Sequence, residues 1–121
     1  MGYIYIFLTI LFTVYGQLVI KWRMPMKGQL PEELIEKIKF ILWAYTDLWI
    51  LSGFVAAFMA SMTWAAAMTK FDLSFAYPFM SLSFVLVFIL SILIFNEPFS
   101  WAKFVGLSFI VLGVIISVQK F

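Results

Sequence analysis

Hydrophobic positions in this chain come in long unbroken runs, at about 3–22, 48–68, 73–95 and 101–118. Each is close to the roughly 20 apolar residues a helix needs to cross the hydrocarbon core of a bilayer. Runs of this length and continuity exclude the alternating strands of about 10 residues that build a membrane β-barrel. The pattern predicts an all-α membrane protein with four transmembrane helices in one domain, 1–121. The second and third runs contain no charged residue, and the fourth contains only Lys103, near its start.

The polar interruptions are unequal. Thr69-Lys70-Phe71-Asp72 and Asn96-Glu97-Pro98-Phe99-Ser100 are tight turns. Pro98 stops a helix sharply, and Ser100 can cap the next. The first connection is long and holds most of the charge. Within it, from Pro31 to Trp43, the residues Leu34, Ile35, Ile38, Ile41 and Leu42 recur at helical spacing. Pro31 suits the first helical position, and Glu32 and Glu33 suit the first turn. A segment this short, about 31–45, cannot span a bilayer. It reads as a short amphipathic helix lying on the membrane surface, or as a connector folded onto the bundle. The opening Met-Gly-Tyr-Ile-Tyr-Ile has no basic stretch and no small-residue cleavage site before Lys21, so the first run reads as a retained helix and not a signal peptide.

Composition sharpens this picture. Of 121 residues, 65% are hydrophobic and 12% charged, with a mean hydropathy of +1.09. A soluble domain is roughly half apolar and a quarter charged, so the natural solvent here is lipid. The net charge of +2 comes from cations scattered at helix ends; these suit anionic headgroups rather than nucleic acid. There is no Cys and no His, which excludes disulfides, thiolate chemistry, the usual proton shuttle and the commonest metal ligand. No metal site, cofactor motif or catalytic constellation is present, and an enzyme is not expected. The first and third connections carry Lys21, Arg23, Lys27, Lys37, Lys39 and Lys103, against Lys70 and Lys120 on the other side. By the positive-inside rule this predicts cytoplasmic first and third connections and non-cytoplasmic termini, with a dual or reversed topology as the alternative.

An ionisable residue inside a membrane usually has a function. Here every Asp and Glu lies in a connection or at a helix edge, so a carboxylate-driven proton exchanger has no residue to use. The first helix instead carries Thr9, Thr13, Gln17 and Lys21 at successive i, i+4 steps, on one face. Gln17 lies about 6 Å deeper than Lys21. It faces either a polar cavity or a neighbouring helix. Lys21 either snorkels to the headgroups or turns inward to bind an anionic group such as a phosphate. In the third run Ser74, Tyr77 and Ser81 share a face, and Pro78 frees a backbone carbonyl. That face either lines a substrate path or serves helix packing. Trp64 and Ser61 are cavity candidates in the second run, Trp64 alternatively filling the core. Gly106 and Gly113 lie on one face of the last helix and permit close approach, within the chain or between chains.

The stretch Gly106-Leu107-Ser108-Phe109-Ile110-Val111-Leu112-Gly113-Val114 resembles the last-helix signature of small multidrug resistance transporters. Tyr15-Gly16-Gln17-Leu18-Val19-Ile20-Lys21 is similar to the first-helix pattern of the same superfamily. Ser74-Phe75-Ala76-Tyr77-Pro78, followed by Asn96-Glu97-Pro98, resembles EamA-like drug/metabolite transporters. The resemblance implies a four-helix unit that dimerises through its last helix, with Gly106 and Gly113 at the contact, and alternates access to a shared cavity. The multidrug exporters carry a mid-helix Glu where this chain has Thr13. A second group, the short flippase subunits for aminoarabinose on undecaprenyl phosphate, lacks that Glu and has a longer polar connection. This chain resembles that group.

The leading expectation is a flippase subunit in a prokaryotic inner membrane, moving a polyprenyl-phosphate-linked sugar or similar anionic lipid, as a homodimer or with a similar partner subunit. Thr13, Gln17, Lys21, Trp64, Tyr77 and Ser81 would bind the substrate. The alternatives are an exporter of small lipophilic compounds and a non-transporting membrane adaptor.

Overall fold

A computed structural model of the chain describes residues 2–119; Lys120, counted above for topology, lies outside them. The described residues form helices joined by turns, with no strand among them: α1 (Tyr3–Arg23), a single 3₁₀ turn (Met24–Lys27), α2 (Leu34–Ala44), α3 (Leu48–Met68), α4 (Leu73–Met80), α5 (Leu82–Phe95) and α6 (Trp101–Ser117). Three helical stretches are long and apolar enough to cross a membrane: α1 with its 3₁₀ turn, α3, and α4–α5 together. The apolar helix α6 is shorter, at 17 residues.

In lipid, apolar surface gains nothing by turning inward, so helices associate through close van der Waals approach and interhelical hydrogen bonds. Helices α1 and α3 do both. They cross at Gly16 and Gly53, both buried. A methyl group placed on Gly16 would lie 3.1 Å from the Gly53 carbonyl oxygen, and one on Gly53 would lie 3.4 Å from that of Gly16. On either side of the crossing are polar pairs. Tyr15 donates to Ser52 at 2.8 Å, since the Ser52 hydroxyl is committed to the Trp49 carbonyl. The Thr9 and Thr63 hydroxyls share a 2.6 Å bond. Small residues Ala56, Ala60 and Ala67 keep α3 flat enough for Ile6, Ile10 and Val14 of α1 to pack near it.

The third span is not one helix. Proline has no N–H to donate to the carbonyl four residues back, and its ring crowds that carbonyl. After Pro78 the chain makes a tight turn. Ser81 donates to the Pro78 carbonyl from its backbone N–H at 3.1 Å and from its hydroxyl at 2.5 Å. The Ser83 hydroxyl reaches the Met80 carbonyl at 2.7 Å. The expected span over 73–95 is present, with a local break in its hydrogen-bond ladder at Ser81, which keeps helical angles (φ −67°, ψ −16°) and separates α4 from α5. At the other end of α5, Asn96 takes the left-handed conformation (φ 54°), which its short polar side chain tolerates. Pro98 follows, and Ser100 caps α6 by accepting from the Lys103 N–H at 3.4 Å.

The amphipathic helix is also shorter than expected. It begins at Leu34 with Glu33 at its N-cap; Pro31 lies in the preceding turn, and the acid in the first helical turn is Glu36. Its stripe of Leu34, Ile35, Ile38, Ile41 and Leu42 is exposed.

Helix α3 is held to the end of α1 by charge. Asp47, only 6% exposed, accepts from Arg23 at 2.7 Å and Lys27 at 2.9 Å through Oδ2, while Oδ1 caps α3 by accepting from the Trp49 N–H at 2.8 Å. The Lys27 ammonium also sits 5.1 Å from the centre of the Trp43 ring, which links α2 to the same knot. Hydrogen bonds from Lys27 and Arg23 hold the Asp47 carboxyl well below the usual carboxylate range.

Two predictions follow from this packing. Gly16→Leu forces α1 and α3 apart at a backbone contact that cannot yield, and is expected to cost about 1–3 kcal/mol. Gly106→Leu meets open space in the isolated chain and should leave monomer stability within about 0.5 kcal/mol; thermal unfolding of the monomer in detergent compares them. Asp47→Asn should lower the melting temperature throughout the neutral range. Because the folded carboxyl titrates below its unfolded counterpart, its contribution is complete above about pH 4 and is lost as pH falls further. The difference between wild type and variant should therefore close only in strong acid, as read by melting curves taken across pH.

Candidate functional site

Alongside the α1–α3 pair runs a line of adjoining grooves. The largest, about 700 Å³, lies between α1, α5 and α6, with Thr13, Gln17, Ser91, Glu97, Lys103 and Gly106 on its walls. A second, about 520 Å³, lies between α1, α3 and the α4–α5 hinge and is lined by Thr9, Thr13, Ser61, Trp64, Tyr77 and Ser81. Thr13 and Ser83 line both. A third hollow, about 560 Å³, lies between the end of α1 and α2, with Gln17, Lys21, Phe40 and Ile41 on its walls. Gln17 belongs to this one and to the largest, and is the point where they join.

The residues singled out from the sequence thus divide among adjoining spaces. Thr13 is half-buried at the junction of the first two grooves, and Gln17 is exposed on the shared wall of the first and third. Trp64 and Tyr77 meet edge to face, ring centres 6.0 Å apart, on the wall of the second. Trp64 also packs against the core, so its two readings coexist. Ser81 lines the same groove, but its hydroxyl is spent on the Pro78 carbonyl. Ser61 is likewise bonded within its own helix, to the Phe58 carbonyl at 2.9 Å. Thr9, on the same polar face of α1, is buried and turned to Thr63. Arg23, beside Lys21 in the sequence, is committed to Asp47.

Lys21 behaves differently. Its ammonium lies 3.8 Å from the Glu97 carboxylate, with the two side chains 58% and 37% exposed. This is the outer limit of an ion pair, and pairs so exposed contribute little to stability. Lys103 adds a second ammonium to the wall that carries Glu97. Neither Glu97 nor Lys103 stood out in the sequence, because each lies at a helix edge. The usable signal was topological. Alternate connections of an up-and-down bundle share one end, so the third connection had to meet the C-terminal end of α1.

Among the described residues, a Cβ added at Gly106 or Gly113 would find no atom within 4 Å. Gly106 instead forms part of the wall of the largest groove. Beside that groove is a crevice of about 620 Å³ between α5 and α6 with almost wholly apolar walls. Phe88, Ile92 and Leu107 line both, so groove and crevice adjoin. Among the described residues, no three His, Cys, Asp or Glu side chains come together to hold a metal.

No family model matches the chain, and no solved structure matches it significantly. Curated relatives do. A protein of Proteus mirabilis described as a "Probable 4-amino-4-deoxy-L-arabinose-phosphoundecaprenol flippase subunit ArnF" is 32% identical over 126 residues, covering 98% of this chain and 92% of the relative. Proteins of Shewanella sediminis (30% identical, 98% of this chain, 88% of the relative) and Aeromonas hydrophila (32%, 95% and 78%) carry the same description. With identities at this level over nearly the full length of both partners, the chain belongs to the family of ArnF flippase subunits.

Proposed function

We propose that this chain is one subunit of a flippase that carries a phosphate-linked amino sugar on a polyprenyl lipid from one leaflet to the other. The observation that carries the reading is a groove whose mostly apolar walls carry a few polar and charged groups, Thr13, Gln17, Glu97 and Lys103, beside an almost wholly apolar crevice. A lipid-linked sugar is an amphiphile with a hydrophilic head and a long apolar tail. The groove with Thr13, Gln17 and Lys103 on its walls suits the head, and the crevice between α5 and α6 suits the tail. Lys21, where the groove meets the hollow beside α2, supplies a cation for the phosphate. Trp64, Tyr77 and Ser81 line the continuation toward the other leaflet. The relatives' description as subunits of an aminoarabinose-phosphoundecaprenol flippase supports the same substrate class.

In this reading α6 is the fourth span. Its 17 residues reach about 25 Å at 1.5 Å per residue, at the short end of the spanning range. The exposed stripe of α2 lies in the headgroup region, where its apolar side chains meet acyl chains. Trp22, Trp43, Trp49 and Trp101 then mark one interface, and Tyr3 with Phe71 the other. The end that holds Lys21, Arg23, Lys27, Lys37, Lys39 and Lys103 faces the cytoplasm of a prokaryotic cell. The second subunit, a copy or a similar chain, covers the exposed face of α6 at Gly106 and Gly113, where small side chains allow a partner helix to approach.

The test is reconstitution. The chain with its partner subunit in liposomes should accelerate the movement of a radiolabelled aminosugar-phosphopolyprenol between leaflets relative to empty vesicles. No acceleration would overturn the reading. Gln17→Ala should slow transport roughly tenfold, the scale of one lost hydrogen bond to a charged group, while the melting temperature of the protein holds, because Gln17 is exposed on the groove wall.

A further inference from the structure

We infer that Glu97 is the residue that recognises the amino group of the headgroup, in exchange for Lys21. The inference rests on the flippase reading above and adds what selects the substrate.

The ion pairs of Asp47 and that of Glu97 differ in kind. Asp47 is buried, and both its oxygens are occupied by short bonds; breaking it would strand a buried charge, which is costly. The pair between Lys21 and Glu97 is long, solvent-exposed and made by single contact. It lies where the groove of Gln17 and Lys103 meets the hollow beside α2. A pair of this sort costs little to open, and opening it leaves one anion and one cation side by side on the groove wall. The complement of such a bipolar wall is a headgroup with an ammonium and a phosphate on one small sugar. The ammonium takes the place of Lys21 against Glu97, and the released Lys21 turns to the phosphate. Charge is conserved across the exchange: one protein ion pair gives way to two protein–ligand pairs, and Lys103 stays on the wall as before. A sugar without a free amine completes only half of it, because Glu97 then keeps Lys21 and the phosphate is left with Lys103 alone. Glu97 is also the one carboxylate on the walls of the largest groove. With Lys103 and Lys21 also present, a purely anionic headgroup would not call for it.

The test uses the reconstituted chain with its partner subunit and two radiolabelled lipids, the aminosugar-phosphopolyprenol and the same lipid N-acetylated to remove the positive charge. Accessibility of the sugar to membrane-impermeant periodate reads leaflet exchange for both. Wild type should move the free amine about tenfold faster, the scale of one charge-assisted contact. Glu97→Gln should bring the ratio of the two rates close to one, and Glu97→Asp should restore part of the preference. Lys21→Gln removes the same protein ion pair but leaves the carboxylate; it should slow both lipids and keep the ratio. The inference is overturned if wild type moves the two lipids equally, if Glu97→Gln retains the preference, or if the two neutralising variants alter the ratio alike, as a merely structural pair would. If wild type moves neither lipid, the flippase reading itself fails, and the assignment of Glu97 with it.

Discussion

The approach of two backbones at Gly16 and Gly53 is the contact on which the remaining architecture rests. Within a bilayer there is no hydrophobic force to press helices together, and α5 and α6 bury little within the chain; Ser83 and Val114 are their only buried residues. Helices α1 and α3 lock because neither has a side chain at the crossing, and hydroxyl pairs on either side hold the register. Once α3 is fixed on α1, the direction of the neighbouring polar face is settled: Thr13 and Gln17 line the groove walled by α5 and α6, and Lys21 the hollow beside α2.

Ionic contacts at the end of α1 are of two kinds, one shielded and multiply bonded, the other long and exposed. Asp47 gathers Arg23 and Lys27 with the first turn of α3, and through Lys27 reaches Trp43. That buried knot ties the long first connection to the bundle and removes two cations from the pool available to a ligand. Lys21 and Lys103 remain, with Glu97 between the grooves they line. The contrast in burial is the physical ground for treating one cluster as fixed and the other as exchangeable.

The break at Ser81 has a similar consequence for shape. A straight helix over 73–95 would run as one rod alongside α1. Pro78 interrupts the ladder, the hydroxyls of Ser81 and Ser83 take up carbonyls nearby, and a groove opens between the hinge, Trp64 and Tyr77. The same serines that line this groove donate their hydroxyls to the Pro78 and Met80 carbonyls.

Much of this was legible in the chain itself. Uninterrupted apolar runs announce helices in lipid because only a helix satisfies its own backbone there. The i, i+4 spacing from Thr9 to Lys21 identifies a polar face because helical geometry is local. The stripe of α2 was visible for the same reason, although its start was misjudged by three residues: Pro31 fits a first helical position as well as a preceding turn, and local sequence does not separate the two. What the chain alone could not decide was which polar residues meet. Thr9 looked equivalent to Thr13 but is consumed by Thr63; Arg23 looked equivalent to Lys21 but is consumed by Asp47. Glu97 and Lys103 looked like loop charges yet stand on the wall of the largest groove. Periodicity is a property of one helix, whereas pairing depends on how far apart separate helices sit and how they are rotated, and those are set by contacts between residues remote in sequence.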